Sequence, residues 1–130
     1  MVDTKQREEL DELLCVIRTY LDNSSDRGLT KFRHELQDID RSLFRHPFTL
    51  AYDAIRNTTE ALDKEGVRRI SCPFCHDYDF DCDKCVATFE CHRFQETRDE
   101  LDPDYIKGMK LRLKYIVQFI NRLRKENDEI

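Results

Sequence analysis

DPDYIKGMKLRLKYIVQFINRLRKE, running from Asp102 to Glu126, marks this chain as helical. It opens with an acid suited to a helix N-cap, Pro103 in the first turn where a missing N–H costs nothing, and Asp104 facing the positive end of the macrodipole. Ile106, Met109, Leu113, Ile116, Val117, Ile120 and Leu123 then share one face of a wheel that turns about 100° per residue. Lys107, Lys110, Lys114, Arg122 and Lys125 share the other. Leu111 and Tyr115 widen the apolar side, as suits either a central position in a bundle or a homodimer seam.

The same period recurs upstream. Leu10, Leu13, Leu14, Ile17 and Leu21 predict a first helix over Thr4 to Asp22, with Asp3 and Gln6 at the offset of a capping box. Asn23 to Gly28 reads as a loop, because Asn, Ser, Asp and Gly offer the backbone local alternatives to helical bonding. Leu29, Phe32, Leu36, Ile39 and Leu43 form the stripe of a second helix, with Thr30 near its N-cap and His46-Pro47 as its end. Phe48, Ala51, Tyr52, Ile55, Thr59 and Leu62 give a third, with Pro47 in its first turn and Gly66 as its C-cap. Short loops predict antiparallel neighbours. The expected architecture is all-α: residues 1–130 form a single four-helix bundle, and a small Cys-rich zinc knuckle at residues 71–92 is inserted between helices three and four. A polar bridge from Arg93 to Leu101, with room for a short helix, joins the knuckle to the last helix.

The knuckle reads SCPFCHDYDFDCDKCVATFECH, Ser71 to His92, and holds five of the six cysteines. Cys72-Pro73-Phe74-Cys75 and Cys82-Asp83-Lys84-Cys85 are C-x2-C pairs separated by six residues. Each pair can turn back on itself to present two sulfurs, and two pairs complete a tetrahedron of thiolates around Zn²⁺. Cys72, Cys75, Cys82 and Cys85 are therefore the predicted metal ligands, with Cys91, His92 and His76 as candidate substitutes. The pairs resemble the knuckles of zinc ribbons, but His76 stands where a glycine often follows the second cysteine and the spacer is shorter than a ribbon hairpin. That likeness assigns no family. An iron–sulfur cluster is the alternative cofactor, although the spacing matches none of the common ferredoxin patterns. Asp77, Asp79 and Asp81 imitate the opening of a calcium loop, yet Cys82 replaces the required glycine and Thr88 the bidentate glutamate.

Charge and composition narrow the function classes. The chain has 130 residues, 38% of them charged, and a net charge of −5, with eight Phe and five Tyr to build a core. A closed thiolate site is normally structural, and neither a zinc-protease, phosphate-loop nor nucleophile-elbow motif occurs, so no enzyme is expected. His34 and His46 stand alone in the sequence, and each reads as a surface or helix-end residue. Cys15 reads as a partly exposed thiol on the polar side of the first helix, beside Glu8 and Glu12.

The leading expectation is a non-catalytic interaction or regulatory module with a protein partner and a structural zinc. Homodimerisation through helical faces is compatible with the pattern. The second is a nucleic-acid-associated factor using Lys107, Lys110, Lys114, Arg122 and Lys125. It is disfavoured because residues 71–91 add five acids against one lysine to an already dianionic zinc–thiolate site. The third is a redox or iron–sulfur protein. The longest apolar run, Leu13 to Ile17, is far short of the roughly 20 residues that span a bilayer, and the first twenty residues lack a signal pattern. A cytoplasmic location without membrane contact is expected.

Overall fold

The computed structural model describes residues 4–22, 26–63, 85–87, 89–94 and 105–128. Among these the regular structure is all helical. Helix α1 spans Thr4–Asp22, α2 Asp26–Gln37, a 3-10 turn Arg41–Leu43, α3 Phe48–Asp63 and α4 Tyr105–Asp128. Residues 89–94 are also helical. Gly66 and the Asp102-Pro103-Asp104 start signal lie outside the described residues, as do Asp3 and residues 23–25.

The apolar period explains the packing. Leu10, Leu13, Leu14, Val16, Ile17 and Tyr20 are buried on α1, and Met109, Leu113, Ile116, Phe119, Ile120 and Leu123 on α4. These join Phe32 and Leu36 of α2 and Phe48, Ala51, Tyr52, Ala54, Ile55 and Leu62 of α3 in one core. Helix α3 makes its broadest contact with α4, and α1 with α2; α2 also meets α3, and α1 meets α4. Helices α1 and α2 run antiparallel. Tyr20 stacks on Phe32 with ring centroids 4.8 Å apart, while Glu9, earlier in α1, accepts the Asp40 N–H at 2.9 Å just beyond the end of α2.

Three expectations are corrected. Helix α2 begins at Asp26, so Asp26, Arg27 and Gly28 belong to its first turn rather than to a loop. The opening N–H groups of any helix have no intrahelical partner, which makes that turn tolerant of Asp and Gly. The helix also stops at Gln37, well before His46-Pro47. Asp38 and Ile39 tighten the end with i→i−3 bonds to Glu35 and Leu36, and Asp40 then takes an extended backbone. Its carboxylate accepts the Ser42 N–H at 3.0 Å and the Ser42 hydroxyl at 2.6 Å, and the hydroxyl bond, foremost, holds the carboxyl below the usual range. Short polar side chains of this kind compete with helical bonding. The chain shift carries Phe44 into the core and leaves Leu43 half-buried.

The third correction concerns Gln6. A capping box would turn its side chain back to the start of α1, but Gln6 is buried and its Oε1 accepts the Arg45 N–H at 2.5 Å. Gln6 therefore ties α1 to the connection between α2 and α3. That connection is also held to α3, where Arg41 donates to Asp53 through two bonds of 2.8 Å. Asp53 raises the Arg41 guanidinium above its ordinary value through this hydrogen bonding. The peptide between His46 and Pro47 is cis.

Candidate metal centre

Of the predicted ligands, Cys72, Cys75 and Cys82 lie outside the described residues, as does the substitute His76. Cys85, Cys91 and His92 are described, and they sit at the join between the Cys-rich stretch and the helices. Cys85 and Val86 are half-buried against the core, and Ala87 is buried. From there the chain turns into the helical segment 89–94, and the Cys91 N–H donating to the Ala87 carbonyl at 2.9 Å carries the helical bonding back to residue 87.

The segment has a clear inner face. Ala87 and Glu90 are buried and Cys91 and Phe94 half-buried, a spacing of i, i+3, i+4 and i+7, whereas Phe89, His92 and Arg93 are exposed. Phe94 meets Tyr115 of α4 edge-on at 6.4 Å. Tyr115 thus widens the apolar side of α4 at a position where this chain itself covers it. On the outer face Arg93 lies over the Phe89 ring at 5.5 Å.

Arg122 of α4 fastens the segment in place. Its Nε donates to Glu90 Oε1 at 2.5 Å, and Nη2 donates to Glu90 Oε2 at 3.0 Å and to the Val86 carbonyl at 2.8 Å. Nη1 reaches Glu126 at 3.1 Å, and the guanidinium lies over the Phe119 ring at 5.6 Å. The Glu90 side chain is 5% exposed and that of Arg122 33%. A charge held so far from water requires a partner, and the planar fork of arginine matches a carboxylate bidentately. Hydrogen bonding to Glu90 raises the Arg122 pKa well above its ordinary value.

The ligand chemistry divides along this geometry. Neither Cys85 nor Cys91 is joined in a disulfide. Thiolates are soft donors suited to zinc, and Cys85 stands where the Cys-rich stretch enters the core. Adjacent helical residues diverge by about 100°, so Cys91 and His92 present one donor, not two, to any single metal. Cys91 is half-buried on the inner face of the segment, and His92 is exposed on its outer face. Among the described residues no cluster of three or more His, Cys, Asp or Glu side chains converges on one point.

The described basic residues of α4 differ in exposure. Lys114 and Lys125 are exposed, Lys110 is half-buried, and Arg122 is taken up by Glu90, Val86 and Glu126. Lys107 lies within α4. Cys15 is exposed on α1, where its carbonyl accepts the Thr19 hydroxyl at 2.9 Å, and His34 and His46 are exposed. Among the described residues no helix is long and apolar enough to cross a membrane.

Sequence reasoning missed Glu90. It counted as one acid among five in the knuckle, although its place with Ala87, Cys91 and Phe94 at helical spacing was there to be read. Comparison of the chain with family models, with curated proteins and with solved structures found no match.

Proposed function

We propose that this chain is a non-catalytic, zinc-binding helical module that serves in protein interaction or regulation. In this reading the four long helices form one bundle, and the Cys-rich stretch at residues 71–92 is a knuckle inserted between α3 and α4. Cys72, Cys75, Cys82 and Cys85 hold one Zn²⁺, which supplies a rigid cross-link rather than a reactive water. The observation that carries the proposal is the pair of C-x2-C motifs six residues apart. Supporting it, the described end of that stretch is bonded to α4 through Arg122, so a metal in the knuckle has a fixed body to act upon.

Elemental analysis of freshly purified protein, with thiol titration before and after chelation, tests this reading. The expected outcome is about one zinc per chain, with about four thiols appearing on chelation. Iron with labile sulfide would replace it with the iron–sulfur alternative, and protein that takes up no metal would overturn it.

A further inference from the structure

Glu90 is the most deeply buried of the described residues 85–87 and 89–94, at 4% exposed against 6% for Ala87. The other side chains on its inner face are small or only half-buried: Ala87, Cys91 and Phe94. Both of its carboxylate oxygens accept from Arg122, and the same guanidinium holds the Val86 carbonyl. One side chain of α4 therefore secures the turn and the helical residues after it. The long helices are joined differently, through rows of buried Leu, Ile and Phe. Such a row weakens by degrees as its members are trimmed. A buried carboxylate stripped of its cation is strongly destabilised where it stands, and it regains water only by moving the backbone that carries it.

We infer that residues 85–87 and 89–94 form a strap on α4 with a single polar latch, the Glu90–Arg122 pair, and that the strap opens as a unit while the four long helices remain folded. Opening takes Phe94 away from Tyr115 and Cys91 out of its half-buried place, so the latch decides whether this flank of α4 is covered. Local units of this kind open at a lower free energy than the whole fold. The inference is independent of the zinc reading, since every group it uses belongs to the strap or to α4.

Amide hydrogen exchange read by mass spectrometry tests this on the full chain as purified, in wild type, Arg122→Leu and Glu90→Gln. The Cys91 N–H, bonded to the Ala87 carbonyl at 2.9 Å, lies within the reporting peptide. Arg122→Leu leaves the carboxylate buried without a counter-charge, whereas Glu90→Gln removes the charge and keeps a polar group for the guanidinium. The expected result is exchange across residues 89–94 faster by roughly tenfold or more in Arg122→Leu, with a smaller rise in Glu90→Gln. Exchange in α1 and α3 is expected to stay as in wild type in both. Unchanged exchange across residues 89–94 in Arg122→Leu would overturn the latch. Loss of protection in the long helices together with residues 89–94, in both variants, would overturn the separate unit and assign the pair to the common fold.

Discussion

Tyr52 reaches from α3 to donate its hydroxyl to the Leu36 carbonyl at 2.9 Å, in the last turn of α2, where that carbonyl also accepts the Ile39 N–H at 3.2 Å. The ring is 2% exposed and leans on Phe44 with centroids 5.7 Å apart, so it fills the core and caps a helix at once. Removing only the oxygen separates the two roles. Tyr52→Phe is expected to lower unfolding free energy by about 1–2 kcal/mol, measured by urea denaturation at neutral pH. Burial, the largest cause, raises the Tyr52 pKa above its usual 10. A raised folded value means that stability is fully present below the unfolded pKa of about 10 and declines as pH climbs from there through the folded value. The Phe variant should lose less stability than wild type between neutral and strongly alkaline pH; equal losses would show that other groups govern the alkaline limb.

Helix α4 draws its energy from the inner face rather than from charge. Leu113 is fully buried, so Leu113→Ala should cost about 2–5 kcal/mol, depending on how far the site collapses. Arg124 donates to Asp11 at 2.7 Å, but the Asp11 side chain is 62% exposed, and Arg124→Ala should change stability by no more than about 1 kcal/mol. Urea denaturation of both variants checks the contrast, and similar losses would mean that the pair matters as much as the core.

The apolar rows of α1 and α4 were legible because a 3.6-residue period is written directly into Leu and Ile positions. The end of α2 was not, since the stripe runs on through Ile39 while Asp40 and Ser42 bond locally and stop the helix. Phe119 was missed for a related reason. It lies about 100° from Ile120, outside a single stripe, and is buried because α4 meets α3, α1 and the segment that carries Glu90.

Across the molecule, contacts that join distant parts of the chain escape any periodic reading. Arg122 and Glu90 are 32 residues apart, and Arg45 and Gln6 are 39 apart. Each is a polar group whose partner is set by packing and not by neighbouring residues. The cysteine pairs are conspicuous in the sequence for the opposite reason, because their residues lie close together in it. If zinc closes the knuckle, the Arg122 contacts connect that closure to α4. Chelation should then lower the melting temperature of the whole helical signal, measured by circular dichroism at 222 nm and restored by added zinc; an unchanged melting curve in protein shown to have lost zinc would separate the knuckle from the helices.

The contact between Asp11 and Arg124 spans 113 residues. At a synthesis rate of about 5–20 residues per second, Arg124 is made roughly 6–23 s after Asp11. Helix α3, whose broadest contact is with α4, also waits for that last helix before its apolar face is covered. During translation the apolar face that α3 turns toward α4 thus has no partner until residues 105–128 have been made.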